Sequence, residues 1–247
     1  MNNSEEFEWC GTLWTYKMEG GRLIHPDTPY QYYDMDNTIM VNKEGELEFT
    51  VKHLLKAVSH WDGKVYYPSH AVPTLRSVSP FTYGRFSIEC KLPKGINLWP
   101  AIWLTGSQRW PPEIDIMEGW TNKKRTYLKW NNPHFPYIFP VYNCTTNIHY
   151  TDRDEQKNAI GSKEVSVFKM KCPENNFIKY ECEWTPNNIS IFYDGKLVRK
   201  VTDKEILEHF NKFPQMKFIM DLWVSQKTNV SIDQKMFLRN FKYEKYE

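Results

Sequence analysis

No apolar run in this 247-residue chain approaches the ~20 residues that a membrane-crossing helix needs. The first residues, MNNSEEFEWC, offer neither a basic n-region nor an apolar h-region, so they do not read as an export signal. Placement outside the cell or in a periplasm would require a signal removed beforehand, and the compartment stays open. Charge of one sign is missing as well. Lys and Arg number 32 against 30 Asp and Glu, a net +2. Such a balance gives no footing to nucleic acid, whose binders carry a basic face or stripe. No charge block marks a disordered tail, and no repeat, low-complexity tract or linker divides the chain, so one domain over residues 1–247 is expected. Cysteine is sparse and scattered. Cys10, Cys90, Cys144, Cys172 and Cys182 form no CxxC pair, and five cannot all bond to one another. Reduced, mostly buried thiols are expected, with a Cys172–Cys182 bridge left open. A core of this size does not need disulfides.

Aromatic residues are abundant: 10 Trp, 15 Tyr and 14 Phe. They suit a strand-rich core, flat surfaces for ligand stacking, or both. Short β-like runs recur between turn residues. ELEFTVKHL (Glu46–Leu54), YGRFSIECKL (Tyr83–Leu92) and FIKYECEW (Phe177–Trp184) alternate in polarity, and Trp184 falls on the core side of its run. NISIFYDGKLVRKV (Asn188–Val201) holds Asp194-Gly195 between two β-rich halves, a two-residue hairpin signal. MKFIMDLWV (Met216–Val224) and FLRNFKYEKY (Phe237–Tyr246) read as later strands. One stretch departs from this. TDKEILEHF sets Glu205 three residues after Thr202, a capping-box spacing, and puts Ile206, Leu207 and Phe210 on one helical face. Many strands and one short surface helix predict an all-β antiparallel sandwich or barrel.

The stretch WPPEIDIMEGW (Trp110–Trp120) carries the chemistry. On a strand Glu113 and Asp115 share a face, and Ile114 and Ile116 take the other. The next acid is due at 117 but stands at 118. A β-bulge near Met117 would insert the extra residue and bring Glu118 back to the face of the first two acids. Three adjacent carboxyls raise one another's affinity for protons, so one can stay protonated near neutral pH. Hydrolysis of a glycosidic bond with retained configuration needs such a pair, about 5–5.5 Å apart, one acting as nucleophile and the other as acid and base. A solvated acidic strand face or a cation site is the alternative, although calcium sites draw mainly on loops rich in Asp, Asn and Gly.

EIDIME also resembles the E-x-D-x-x-E signature of glycoside hydrolase family 16, which includes laminarinases, lichenases, agarases, carrageenases and porphyranases. FTYGRFSIECKLPKGINLWPAIWLTG (Phe81–Gly106), TNIHY (Thr146–Tyr150), FIKYECEWTPNNISIFYDGKLV (Phe177–Val198) and the final FLRNFKYEKY are similar to family segments in the same order. The resemblance implies a β-jelly roll of two antiparallel sheets with a concave carbohydrate cleft. It implies a retaining mechanism with Glu113 as nucleophile, Glu118 as acid/base and Asp115 modulating the pair. The inserted Met117 matches the bulged subgroup, which makes lichenase-like and xyloglucan-active readings less favoured. The expected activity is endo-hydrolysis of a β-linked polysaccharide, a β-1,3-glucan or an algal galactan, by a monomer with neither nucleic acid nor membrane as partner. A transglycosylase using the same carboxyls and a non-catalytic, lectin-like sandwich are the alternatives.

Aromatic rings stack on sugar C–H faces, so Trp99, Trp103, Trp110, Trp120 and Trp130 are candidate substrate contacts, each also open to core packing. Trp103 resembles a tryptophan that many family members place beside the acids, and His149 a histidine near the acid/base. Arg109 reads as a solvated loop residue. No catalytic metal or cofactor is expected, since two carboxyls handle every proton. The family often carries a structural calcium away from the cleft, but no diagnostic loop for one is visible here. Pro111-Pro112, where many laminarinases have Cys-Gly, and the missing Gly-rich end of MDLWVS leave the sugar undetermined, and the aromatic insert WNNPHFPYIFPVYNC (Trp130–Cys144) is expected to shape the cleft.

Overall fold

The structure is a computed structural model that describes residues 6–16, 28–59, 63–120, 141–150, 166–171 and 176–246, with the backbone alone for residues 35, 120, 141–143 and 166–171. In chain order the elements are β1 (Glu6–Trp9), β2 (Thr12–Thr15), β3 (Gln31–Tyr33), α1 (Met35–Thr38), β4 (Ile39–Val41), β5 (Leu47–Thr50), β6 (Lys52–His53), β7 (Val58–Ser59), β8 (Val65–Tyr66), β9 (His70–Val72) and β10 (Thr74–Ser77). There follow β11 (Gly84–Lys91), β12 (Leu98–Gly106), β13 (Glu113–Trp120), β14 (Val141–His149), β15 (Ser166–Lys171), β16 (Ile178–Thr185), β17 (Asn188–Tyr193), β18 (Lys196–Val201), α2 (Lys204–Lys212), β19 (Met216–Val224) and β20 (Lys235–Lys245).

Two large antiparallel sheets form a sandwich. One runs β1-β2-β10-β19-β12-β13-β14-β15, the other β18-β17-β16-β11-β20-β5-β4. The core lies between them, and two-residue alternation, interrupted in β13, sends one face of each central strand into it. Strand β11 alternates buried and half-buried along its whole length, with Phe86, Ile88 and Cys90 inward. In β19, Met216, Phe218, Met220, Leu222 and Val224 enter the core, which leaves Lys217, Ile219, Asp221 and Trp223 on the opposite, concave face. Trp14 is fully buried, with Phe218 and Phe241 edge-on at 6.2 and 5.1 Å between ring centroids. Removing a side chain of that size from such a core costs about 3–5 kcal/mol.

The Asp194-Gly195 turn joins β17 to β18, with φ of 48° and 74° at the two positions, the left-handed geometry that this pair of residues tolerates. The cap of α2 lies one residue later than the capping-box spacing suggests. Asp203, not Thr202, accepts from the amides of Glu205 and Ile206, because a carboxylate is the stronger acceptor for the helix's first amides. Ile206, Leu207 and Phe210 are buried as expected. Besides α2 there is a single-turn helix, α1, that the sequence pattern did not announce. ELEFTVKHL is not one strand: β5 belongs to the seven-stranded sheet and β6 to a small sheet with β3 and β9. Cys182 is a free thiol, fully buried, which argues against its pairing with Cys172, itself outside the described residues. Cys90 and Cys144 are free and buried, and Cys10 is free and exposed.

Candidate active site

The β12–β13 connection begins at Gly106, whose amide donates to the Pro112 carbonyl at 2.8 Å. A Cβ there would meet the Arg109 carbonyl oxygen at 2.3 Å, so only glycine lets the loop fold back this closely. Strand β13 then runs between β12 and β14. On the β12 side Trp103 faces Asp115, but Ile102 faces Met117. On the β14 side Asp115 faces Asn147 and Glu118 faces Thr145. Ile116 and Met117 thus stand opposite the single residue Thr146, which is a β-bulge. Ile114, Ile116 and Met117 all enter the core, and Glu113, Asp115 and Glu118 all lie on the concave face. Without the bulge Glu118 would have the parity of Ile114 and Ile116 and face hydrocarbon.

Two indoles serve these acids with their N–H groups, and a third serves a neighbouring acid. Trp110 Nε1 donates to Glu113 Oε2 at 3.0 Å, and Trp99 Nε1 donates to Glu118 Oε1 at 3.2 Å. Trp103 Nε1 donates to Asp221 Oδ2 at 2.8 Å. Asp221 is a fourth acid. Its strand pairs with β12 so that Asp221, Ala101 and Glu118 stand side by side on three neighbouring strands, with only a methyl side chain in the middle. His149, opposite Glu113 on β14, brings Nε2 to 3.4 Å from Glu113 Oε1 and 3.3 Å from Asp115 Oδ2. Its ring lies 5.7 Å from that of Trp110. The Ile148 amide donates to Asn147 Oδ1, which turns Asn147 Nδ2 toward His149 Nε2 at 2.9 Å.

Glu113, Asp115 and His149 are also the residues that could hold a cation, since one donor atom from each lies within 4.8 Å of the others. That set is part of the acid cluster itself, and the Asn147 amide hydrogen already faces the imidazole nitrogen it would offer.

Burial dominates the electrostatics. It pushes Glu113 well above the ordinary carboxylate range, reinforced by Asp115 and Glu118 and opposed by His149 and the Trp110 N–H. Asp115 is raised by burial, then by Glu118 and Asp221, against a weaker pull from Arg199. Glu118 is raised by burial and held back by the Trp99 N–H and His149. Asp221 is raised by burial too, with the Trp103 N–H opposing. Burial, joined at Glu113, Asp115 and Asp221 by the neighbouring carboxyls, favours the protonated forms and biases the cluster toward keeping protons.

Of the residues singled out in the sequence, Glu113, Asp115, Glu118, Trp99, Trp103, Trp110 and His149 come together on the concave face. The Trp120 side chain and all of Trp130, with most of the aromatic insert, lie outside the described residues. Trp184 is in the core, and the exposed Arg109 sits over the Phe213 ring at 5.2 Å. Sequence reasoning missed Asp221, Asn147 and Trp223. Trp223 meets Trp99 edge-on at 5.9 Å, stacks on Tyr33 at 5.6 Å and donates to Thr74 Oγ1 at 2.8 Å, extending the aromatic wall beyond Glu118. The signal was present: Asp221 and Trp223 are the polar and amphipathic members of one parity in a strand whose other parity is wholly apolar.

Known proteins agree with this architecture. A β-glucanase of Rhodothermus marinus is 28% identical over 218 residues, 83% of this chain and 66% of that protein. A β-1,3-glucan-binding protein of Penaeus monodon is 28% identical over 183 residues, 66% of this chain and 43% of that protein. The chain thus spans two thirds or less of the length of these curated relatives. Among solved structures, the laminarinase catalytic domain of Thermotoga maritima MSB8 superposes with a TM-score of 0.61 at 20% identity, covering 88% of this chain and 84% of that one, a likeness of fold. The family model of glycosyl hydrolases family 16 matches residues 28–237. That span takes in most strands of both sheets and the bulged acid strand, and the chain belongs to glycosyl hydrolases family 16.

Proposed function

We propose that this chain is a retaining endo-β-glycanase acting alone as one catalytic unit on a polysaccharide, a β-1,3-glucan or an algal galactan. The observation that carries the reading is the one-residue bulge that sets Glu113, Asp115 and Glu118 on a single concave face. In the first step a Glu113 oxygen attacks the anomeric carbon, the bond to the leaving sugar oxygen breaks, and Glu118 gives that oxygen its proton. In the second, Glu118 takes a proton from water, the water oxygen bonds to the anomeric carbon, and the bond to Glu113 breaks. Asp115 lies between the two and keeps a proton within reach, while His149 touches Glu113 and Asp115 from the neighbouring strand. The Trp110 and Trp99 N–H groups favour the ionised form of the acid each contacts, which suits a nucleophile permanently and an acid/base after its proton has left. The indole faces are offered to the sugar.

The test is a panel of laminarin, mixed-linkage glucan, agarose, porphyran and carrageenans. Release of new reducing ends, with retained anomeric configuration by proton NMR and shortening of chains from within, is expected on one of them. Glu113→Gln should abolish it in a folded protein. A second reading, binding without cleavage, is favoured by the likeness to a glucan-binding protein. It predicts retention on one polysaccharide with no new reducing ends. Products longer than the substrate would instead mark transglycosylation.

A further inference from the structure

Tyr193 belongs to β17, in the sheet opposite the acids, yet its hydroxyl crosses the core. It donates to the Ile116 carbonyl at 3.0 Å and lies 3.3 Å from the Thr145 carbonyl. Arg199, on β18 of the same sheet, reaches the neighbouring residue: Nε donates to Thr146 Oγ1 at 2.7 Å and Nη2 to the Thr146 carbonyl at 3.0 Å. These carbonyls belong to the bulge, to Thr146 that stands opposite it, and to Thr145 just beside it. An extra residue interrupts the ladder between the Asp115–Asn147 and Glu118–Thr145 pairs, and carbonyls buried at such a break must find donors elsewhere. Here the donors come from the other layer of the sandwich.

We propose that Tyr193 and Arg199 are positioning residues for the reaction, holding the bulge in the geometry that turns Glu118 onto the cleft face. The proposal rests on the glycanase reading and adds to it a part of the molecule that touches no substrate. Tyr193 is buried behind the acid strand, with its ring fixed edge-on against Tyr180 at 4.8 Å. The hydroxyl is therefore well placed: its ring cannot swing away, and the carbonyl it grips precedes Glu118 by two residues. A loosened bulge moves Glu118 relative to every group that sets its protonation, namely Glu113 and Asp115 on its own strand, His149 on β14, the Trp99 N–H on β12, Asp221 on β19, and Tyr193 with Arg199 beneath.

Tyr193→Phe keeps the ring and deletes the grip. The control is Tyr243→Phe, since the Tyr243 hydroxyl likewise lies between two carbonyls, those of Thr82 and Tyr83, at a place remote from the acids. Two measurements are made: kinetics on whichever glycan the wild type cleaves, and titration of the Glu118 carboxyl by carbon-13 NMR, which needs no substrate. Tyr193→Phe is expected to lower kcat on the order of 10-fold with KM within about twofold, because a small misplacement of a reacting group is costly. The Glu118 titration and the pH–rate limb that follows it should move together, and Tyr243→Phe should match wild type in all of these. Wild-type kcat and an unmoved Glu118 titration in Tyr193→Phe would overturn the proposal. If the wild type cleaves no glycan, the glycanase reading fails, and the titration alone decides: displaced in Tyr193→Phe but not in Tyr243→Phe upholds the brace, coincident curves refute it. Should Tyr193→Phe not fold, Arg199→Lys, which keeps the charge but loses the fork, is judged by the same two readouts.

Discussion

Two faces of this molecule carry buried acids, and they treat them oppositely. On the outer face of the seven-stranded sheet the Glu181 side chain is 3% exposed, with Lys179 Nζ at 2.7 Å and Arg85 Nη2 at 3.0 Å from its Oε1. On the concave face of the other sheet Asp115 is 4% exposed, with Glu118 and Asp221 among its charged neighbours. Burial raises both carboxyls. The paired cations outweigh it at Glu181, which ends below the ordinary range, while nothing comparable offsets it at Asp115, which ends well above. Glu89 follows Glu181, held down by Asn240 and Arg239 against the effect of burial. Low exposure alone therefore does not fix the direction: Glu181 is covered by the two cations it pairs with, whose side chains are 42% and 48% exposed, whereas Asp115 lies deeper, among other acids. The concave face is built to keep protons, and it supplies indole N–H groups where the outer face supplies Arg and Lys. An indole steadies a carboxylate without cancelling its charge, which suits the proton transfer proposed for Glu118.

The sharpest way to break this comparison is the same conservative change on each face. Glu113→Gln should lower kcat by at least about 10³-fold, since the amide cannot form the covalent intermediate. Glu89→Gln should leave kcat unchanged. Comparable losses from both would mean that the concave acids are nothing special. Next comes Trp103→Phe, which deletes the N–H donor to Asp221 while keeping an aromatic ring. A drop in kcat of about 10-fold is expected from disturbing one preorganised hydrogen bond beside the acids. Trp184→Phe, in the core of the other sheet, should lower Tm and spare kcat.

How much of this was readable beforehand follows from what each residue depends on. The bulge was legible because alternation is a local rule: EIDIME breaks its own parity at Met117, and only an inserted residue restores it. The Asp194-Gly195 turn was legible for the same reason. The helix cap slipped by one residue because Thr202 and Asp203 are both competent caps, and choosing between them depends on the path of the chain into α2. The parity of MKFIMDLWV puts Asp221 on the face away from the core, but nothing in it says that β19 lies next to β12, more than a hundred residues earlier, and so beside the acids. Tyr193 escaped for a stronger reason. Its partner carbonyls are in the other sheet, and no rule of spacing along β17 points to them. Local periodicity could find the acids, but not what stands beside or behind them.

The same contrast governs stability against pH. An acid whose carboxyl is raised on folding stabilises the fold fully below its unfolded value, 3.8 for Asp221, and surrenders that stabilisation as pH climbs through its folded value. Asp221→Asn removes the loss and keeps an oxygen for the Trp103 N–H. Its Tm should exceed that of wild type at pH 7 by about 2–4 °C, the shift that roughly 1 kcal/mol produces in a chain of this size, and the gap should narrow toward pH 4. Calorimetry between pH 4 and 8 measures it. A gap independent of pH would show that Asp221 carries no excess proton. Glu181→Gln should behave with the opposite sign. A lowered carboxyl stabilises above its unfolded value of 4.5 and loses that as pH falls, so the variant should be the less stable one at pH 7 and approach wild type in acid.

The smallest expected effect tests the cause most directly. Arg85→Gln alone should change Tm by no more than about 2 °C, since its side chain is 42% exposed, such pairs contribute about 0–1 kcal/mol, and Lys179 still holds the same Glu181 oxygen. Adding Lys179→Gln strips the second cation and leaves Glu181 without either charged partner. Its carboxyl, followed by carbon-13 NMR, should then cross from below the ordinary range to above it. If it stays low without either cation, backbone dipoles or water rather than charge pairing must set the outer-face acids, and the contrast between the two faces would need another origin. If it rises, two substitutions far from the cleft will have turned an outer-face acid in the direction that the concave acids take.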